Sequence, residues 1–208
     1  MKLRYVDIQG FMSMDNILGK PHRLPLGDVT VLLGANGSGK SNVLTFFKML
    51  RCLATGKLSD FVGKYGANRM LHYGSKYTPA ISLHLVFDDG ADNLYEAVLR
   101  HVGSDVFHVT QEKIVFSQKS PEGENEAPPA RHASPDGTSH LMEEYFLSSD
   151  IRGEAGLAKD DSLHATGGFI KNFLTNTGIF QFHDTSENSH IRDRNYVDDA
   201  YITPPRNY

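Results

Sequence analysis

A glycine-rich stretch, GANGSGKSN at positions 34–42, contains the residues whose types and spacing most clearly indicate chemistry. It matches the pattern G-x-x-x-x-G-K-[ST], in which the backbone amides of a loop surround phosphate oxygens. Glycine permits the backbone conformations that turn successive N–H groups inward. The lysine of the pattern, Lys40, reaches the β- and γ-phosphates, and the hydroxyl of Ser41 coordinates Mg²⁺. Residues 34–42, the phosphate loop, are therefore predicted to bind a nucleotide through its phosphates.

The segments on either side of the phosphate loop have the patterns of a strand and a helix. DVTVLLG at 28–34 is a continuous apolar, β-branched run, which is typical of a strand buried on both faces. From Ser41 to about Gly56, apolar residues recur at helical spacing. They are Val43, Phe46, Phe47, Leu50 and Ala54. A helix that starts at the loop adds N–H groups and a partial positive charge to a phosphate site.

The rest of the chain predicts antiparallel strands and two further helices. Strands are expected at 2–9, 81–87, 95–102, 105–116 and, beginning near Ile179, 179–186. Short helices are expected at 141–147 and 167–176. Residues 118–140 are rich in Pro, Ser, Gly and Glu and predict a linker or disordered loop.

The composition predicts an ordinary globular protein with an uneven charge. No window approaches the roughly 18 to 20 apolar residues of a membrane span, and the N-terminus lacks a signal peptide, so we expect a cytoplasmic protein without a membrane partner. The single cysteine, Cys52, is expected to be a buried thiol. Residues 40–76 contain seven Lys or Arg and one acid, Asp60. Such a stretch either meets the phosphates of a nucleotide or nucleic acid, or forms a solvated basic face.

Roughly the first 55 residues resemble the RecF/SMC-like branch of ABC-type P-loop NTPases. The resemblance rests on YVDIQGFMSM followed by VTVLLGANGSGKSNVLTFFKML, with Asn36 inside the phosphate loop and Asn42 at its end. FHDTS at 182–186 is also similar to a segment of the OLD/RecF-like predicted ATPases, several of which act in DNA repair or anti-phage defence. The resemblance implies an α/β ABC-type ATPase head, with a mixed sheet and an antiparallel β-subdomain. It also implies ATP and Mg²⁺ as ligands, heads that pair as a homodimer or with a partner subunit around ATP, and DNA as a candidate partner.

The resemblance also assigns roles to individual residues. The phosphate-binding set that it implies is Gly34, Asn36, Gly37, Ser38, Gly39, Lys40 and Ser41, with Asn42 next to it. Gln181 stands where relatives sense the γ-phosphate and Mg²⁺, although a strand-exposed glutamine is the simpler interpretation. His183 and Asp184 suggest either a metal site or a local turn. In the connector GFMSM, Met12 occupies the place of a basic nucleotide contact, while Ser13 remains.

Two parts that an ABC-type ATPase needs for hydrolysis are not found in this sequence. No Ser-Gly signature motif occurs, and no apolar strand ends in Asp-Glu as a Walker B strand does. LHLVFDD at 83–89 ends in Asp88-Asp89, but His84 interrupts it and a turn follows, so we interpret it as a hairpin. The chain is thus expected to be the N-terminal half of an ATPase, with no assigned catalytic residue, and to hydrolyse ATP only when the other half or a partner completes it. The expected parts are an ATPase lobe at 1–117, a polar linker or insertion at 118–165, and a continuation of the lobe at 166–208.

Two other functions are compatible with the phosphate loop. One is a nucleotide-regulated module that binds nucleic acid without hydrolysis, as the basic stretch suggests. The other is a P-loop kinase, which the leading strand and the hairpins disfavour. A GTPase is disfavoured because no N-K-x-D motif is present.

Overall fold

The computed structural model describes residues 2–16, 20–88, 92–103, 105–119, 131–133, 139–147, 154–159 and 165–179. These ranges contain seven strands: β1 (Lys2–Gln9), β2 (His22–Pro25), β3 (Ala80–Asp88), β4 (Asp92–Gly103), β5 (Val106–Lys119), β6 (Arg131–Ala133) and β7 (Ser139–Phe146). They also contain five helices: α1 (Lys40–Ala54), α2 (Leu58–Tyr65), α3 (Ala67–Met70), α4 (Gly156–Lys159) and α5 (Ala165–Thr175).

The seven strands form one sheet in the order β2-β1-β3-β4-β5-β7-β6, and every neighbouring pair in it is antiparallel. The fold is therefore an α/β arrangement built on an antiparallel sheet, and the mixed sheet that the resemblance implies is not found among the described strands. The predicted strands at 2–9, 81–87, 95–102 and 105–116 are confirmed. Pairing of β3 with β4 runs from Ala80 opposite Arg100 to Asp88 opposite Asp92, which confirms the hairpin interpretation of LHLVFDD.

Side chains alternate along the central strands between a buried face and a half-exposed face. On β3 the odd-numbered residues from Ile81 to Phe87 are buried, and the even-numbered ones between them are half-buried. In β1 a register shift between Leu3 and Tyr5 changes the phase of the alternation, so Val6 rather than Tyr5 joins Leu3 and Ile8 in the core.

The helices cover the buried face of the sheet. In α1 the side chains of Phe46, Met49, Leu50 and Leu53 are fully buried, and the ring of Phe87 on β3 packs edge-on against Phe169 and Phe173 of α5. The predicted helices at 41–56 and 167–176 are thus confirmed as α1 and α5 within one or two residues of their ends.

Cys52 lies on α1 and is 3% exposed, as expected for a buried thiol. Burial raises the pKa of its thiol to about 11. The thiolate, which is the reactive form of cysteine, is therefore disfavoured at neutral pH.

Two predictions of secondary structure are wrong. The segment 28–34 belongs to no strand of the sheet, and its apolar side chains are exposed: Val29 by 84%, Val31 by 71% and Leu33 by 88%. A strand needs a neighbour for its backbone hydrogen bonds, and none of the described strands lies beside this segment. The segment 141–147 is not a helix, because Ser139–Phe146 pairs with β5 as strand β7.

Five elements were not anticipated in regions that the sequence pattern left irregular. Strand β2 follows the connector after β1, helices α2 and α3 lie within the Gly- and Lys-rich region 57–78, and strand β6 and helix α4 lie within the expected linker or insertion at 118–165. The division of the chain into one lobe at 1–117, a linker or insertion at 118–165 and a continuation of the lobe at 166–208 stays a prediction.

Two buried glutamates attach the segment around α4 to the rest of the fold. The carboxylate of Glu154 accepts hydrogen bonds from the N–H groups of Leu58 and Ser59, at the start of α2. The carboxylate of Glu112, on β5, accepts hydrogen bonds from the N–H groups of Gly156 and Leu157, at the start of α4. Each carboxylate thus satisfies amides that a helix N-terminus leaves without an intrahelical partner.

Candidate nucleotide-binding site

The phosphate loop adopts backbone conformations that depend on its glycines. Gly37 has a φ of +85° and Gly39 a φ of +93°, in the left-handed region that residues with a Cβ rarely enter. A Cβ placed on Gly34 would lie 2.6 Å from the Ser38 hydroxyl oxygen and 3.2 Å from the Ser38 Cβ, so a larger residue there requires the Ser38 side chain to shift. A backbone turn, from the N–H of Ser38 to the carbonyl of Ala35 at 3.2 Å, closes the loop.

The ammonium of Lys40 is folded back onto the loop. Its Nζ donates to the carbonyl oxygens of Gly34 at 2.6 Å and Ala35 at 2.7 Å. The Ser38 hydroxyl lies 3.4 Å away from the same nitrogen. The lysine therefore lies within reach of the loop. Phosphate oxygens are charged and accept hydrogen bonds more strongly than carbonyls, so they could take the place of these two carbonyls as partners of the ammonium.

The N-terminus of α1 faces solvent without a side-chain cap. Gly39 occupies the cap position and has no side chain that could accept from the first amides, and the first turn contains no acidic residue. Residues 34–38 and Ser41 are exposed, and Asn36 lies among them. The positive end of a 15-residue helix is thus open to an anion, and the Ser41 hydroxyl is accessible to a metal ion beside it.

The connector after β1 lies against the start of α1. The amide of Asn42 donates from Nδ2 to the Ser13 hydroxyl at 2.8 Å. The same hydroxyl lies 2.7 Å from where a Cβ of Gly39 would be. Beneath this contact, the ring of Phe11 packs edge-on against Phe46 of α1, with centroids 5.5 Å apart. Asn42 therefore links the connector to the phosphate loop. Ser13, the polar residue that follows Met12 in the connector, adjoins the loop.

The connector is also hydrogen-bonded to the chain that follows α3. The N–H of Met12 donates to the carbonyl of Met70 at 2.8 Å, and the N–H of His72 donates to the carbonyl of Gly10 at 3.1 Å. The His72 Nδ1 lies 2.6 Å from the carbonyl oxygen of Met12. Because a carbonyl only accepts, this ring nitrogen carries the proton.

A cavity of about 850 Å³ opens between these two segments, beside the phosphate loop. It is lined by Met12, Ser13, Asn42, Lys64, Tyr65, Arg69, Leu71, His72 and Tyr73. Of these, Ser13 and Asn42 form the wall that it shares with the loop and α1. The basic side chains of the cavity come from α2 and α3, within the basic stretch that the sequence singled out.

The structure brings together most of the residues predicted for the site. The residues from Gly34 to Asn42 form one continuous loop and helix start, with Ser13 against them. The predicted Gln181, and with it His183 and Asp184, lies outside the described residues. Among the described residues, no group of three or more His, Cys, Asp or Glu side chains could hold a metal ion. Ser41 as a magnesium ligand stays a prediction.

Tyr65, Arg69, His72 and Tyr73 were missed as possible site residues. The basic stretch was the sequence signal for Arg69 and Lys64, but no local pattern indicates that residues 64–73 adjoin the connector after β1.

No family model, no curated protein and no solved structure matches this chain. None of the helices in the described part of the chain has the length and apolar character to cross a membrane. The fold and the site define an α/β protein with an antiparallel sheet and a glycine-rich loop at the N-terminus of a helix.

Proposed function

We propose that this chain binds ATP with Mg²⁺ at the phosphate loop and acts as the nucleotide-binding head of a P-loop ATPase of the RecF/SMC/OLD-like ABC type. Its proposed setting is DNA repair, DNA maintenance or anti-phage defence. The observation that carries the proposal is the loop itself: two left-handed glycines, a lysine folded over the loop and an uncapped helix N-terminus.

Each part of the loop has a role in this function. The loop amides and the start of α1 surround the β- and γ-phosphates, and Lys40 exchanges its carbonyl partners for phosphate oxygens. Ser41 contributes its hydroxyl to Mg²⁺, which retains several waters and bridges phosphate oxygens. Asn36 and Asn42 flank the phosphates, and Asn42 also holds Ser13.

Hydrolysis in this function depends on groups that this sequence does not contain. We propose that a Walker B Asp-Glu pair and a Ser-Gly signature come from another polypeptide segment, so that ATP is cut only when heads pair, as a homodimer or with a partner subunit. The exposed run Val29–Leu33 supports this. Four of its five residues are apolar, all except Thr30, and it leads directly into the phosphate loop, as the strand before such a loop does in a parallel sheet buried on both sides.

Amide hydrogen exchange tests this role of the run. Amides of Val29–Leu33 are expected to exchange rapidly in this chain, because no described strand pairs with them. They are expected to become protected when a polypeptide that carries the missing strand and signature is added with ATP. If protection does not change while ATP turnover appears, the proposed strand completion is wrong.

The substitution Lys40→Ala tests nucleotide binding itself. Removing a charge-assisted partner of the phosphates is expected to weaken binding of ATP–Mg²⁺ by about 10- to 100-fold. Isothermal titration calorimetry on the purified chain measures the change. Lys48→Ala, eight residues further along the same helix, is the matched control and is expected to bind as the unaltered chain does. Equal affinities for the two variants would contradict the proposal.

A second candidate is a nucleic-acid-binding module regulated by the nucleotide. The observation that favours it is the exposure of four basic side chains of the basic stretch: Lys57, Lys64, Arg69 and Lys76. Retention on a DNA oligonucleotide that weakens steeply with salt would support it. Absence of retention at low ionic strength would exclude it.

A further inference from the structure

We propose that the cavity beside the phosphate loop binds the nucleoside part of the ligand whose phosphates occupy the loop. Of its nine lining residues, five lie between Tyr65 and Tyr73, well outside the glycine motif. The assignment depends on the proposed function, because it takes the phosphates to be in the loop. It adds a site for base and sugar, made by residues that the motif does not include.

The position of the cavity relative to the loop is the first support. Asn42 and Ser13 line the cavity, and their mutual hydrogen bond of 2.8 Å lies against Gly39, the cap of α1. A nucleotide with its phosphates on the amides of this helix start therefore has a cavity directly next to it. Its volume, about 850 Å³, is within the range of roughly 300 to 1,000 Å³ found for small-molecule sites.

The chemistry of the lining is the second support. Tyr65 and Tyr73 supply aromatic faces, and the Tyr73 side chain is 81% exposed, so its ring is accessible for stacking. Arg69 and Lys64 add positive charge, which suits a ligand that carries phosphates. Met12 and Leu71 add apolar surface. Aromatic faces with a few polar groups are what a nucleobase and its sugar require.

The third support is the way in which the fold holds the rim of the cavity. Met12 has a φ of 48° and Tyr73 a φ of 55°, two of the three described residues other than glycine with a positive φ. Both line the cavity, and residues in such conformations cluster at binding sites. The ring of His72 packs edge-on against Tyr73 at 4.3 Å, while its Nδ1 is hydrogen-bonded to Met12. The position of Tyr73 is thus fixed by the same connector that adjoins the loop.

Two ligands separate nucleoside binding from phosphate binding. ATP–Mg²⁺ contains both parts, whereas inorganic tripolyphosphate–Mg²⁺ contains the phosphates alone. Tyr73→Ala is expected to weaken binding of ATP by about 5- to 100-fold, the usual effect of losing one base–aromatic stack, and to leave binding of tripolyphosphate unchanged. Tyr77→Ala is the matched control, because its side chain is 80% exposed and does not line the cavity. It is expected to change neither affinity.

A fluorescent variant provides an independent measurement. The sequence contains no tryptophan, so Tyr73→Trp introduces a single one at the rim. Its emission is expected to be quenched by ATP, through stacking, and to remain unchanged with tripolyphosphate. Tyr77→Trp is expected to respond to neither ligand.

The outcomes distinguish the cavity from the loop. If Tyr73→Ala binds ATP as Tyr77→Ala does, while Lys40→Ala still weakens both ligands, the nucleoside site is wrong and the phosphate loop stands. If Lys40→Ala changes the affinity for neither ligand, the proposed function is wrong. If a single-stranded oligonucleotide quenches Tyr73→Trp in a salt-dependent way and ATP does not, the cavity belongs to a nucleic-acid surface and the proposal is overturned.

Discussion

Gly39→Val is expected to reduce the affinity for ATP–Mg²⁺ by about 100-fold or more. The substitution adds backbone strain of about 1–3 kcal/mol and disturbs the amides that are proposed to bind the phosphates. Gly39 has a φ of +93°, which is strongly unfavourable for a β-branched residue. The first added carbon would also lie 2.7 Å from the Ser13 hydroxyl oxygen. The positive φ therefore strains the backbone at the first amides of α1, and the Ser13 hydroxyl must shift away from its hydrogen bond with Asn42.

Gly63→Ala is the matched control for this substitution. Gly63 lies within α2, has no positive φ, and a Cβ added there meets nothing within 4 Å. Alanine in a helix interior is favoured over glycine by roughly 0.5–1 kcal/mol, so this variant is expected to be slightly more stable and to bind ATP normally. Calorimetric titration of both variants, with circular dichroism to confirm that each is folded, makes the comparison. Full affinity in Gly39→Val would show that the phosphates bind elsewhere.

The elements that could be predicted from sequence are those whose pattern and partners are close in the chain. Helix α1 has apolar residues at regular helical spacing, and β3, β4 and β5 are joined by short turns that bring each strand next to the following one. The α2 helix also had a local signal, since Leu58, Phe61 and Val62 have helical spacing and are buried. Its glycine- and lysine-rich surroundings hid that pattern.

The two wrong predictions share a physical cause, which is that strand formation is decided by neighbours. Residues 29–33 have the composition of a buried strand, yet no described strand is available to pair with them. Residues 141–146 contain good helix formers, but the edge of β5 offers backbone partners, and the segment pairs there instead. In both cases the presence or absence of a pairing strand among the described residues, not the local sequence, decides the outcome.

The candidate site also has one part that the local sequence indicates and one part that depends on distant segments. The phosphate loop could be predicted because its chemistry is contained in nine consecutive residues. The cavity could not, because it requires the connector around Met12 to meet the chain around Met70 through hydrogen bonds between residues almost sixty positions apart. Sequence alone indicated basic residues in the second segment, but gave no reason to place them beside the loop.

Glu112→Ala is expected to lower the free energy of unfolding by about 3 kcal/mol or more. The Glu112 side chain accepts hydrogen bonds from the Tyr95 hydroxyl at 2.7 Å and from the N–H groups of Gly156 and Leu157 at 2.6 and 3.2 Å. Alanine would leave these three buried donors without their acceptor, at roughly 1–3 kcal/mol each. Urea unfolding measures the loss. Glu96→Ala, which removes a partly exposed carboxylate on β4 paired with Lys113 at 3.1 Å, is the control and is expected to cost about 1 kcal/mol or less.

The pH dependence of stability tests the charge of the same group. Burial raises the pKa of the Glu112 carboxyl above its ordinary value of 4.5, although the hydrogen bonds from Tyr95, Leu157 and Gly156 oppose this. The folded state therefore binds the proton more tightly than the unfolded state does. Between pH 4.5 and the raised pKa, the contribution of Glu112 to stability is expected to fall as the pH rises, and to level off above it.

Glu112→Gln separates this titration from the loss of hydrogen bonds. The amide oxygen can still accept from Tyr95 and Leu157, but the amide nitrogen would face the N–H of Gly156, so a cost of about 1–3 kcal/mol is expected. Because glutamine does not titrate, the difference in unfolding free energy between the unaltered chain and this variant is expected to shrink as the pH rises from 4.5 towards neutral. A difference that stays constant over this range would mean that the carboxyl has the same pKa in both states. Glu112 would then hold α4 in place without any energetic penalty for its charge.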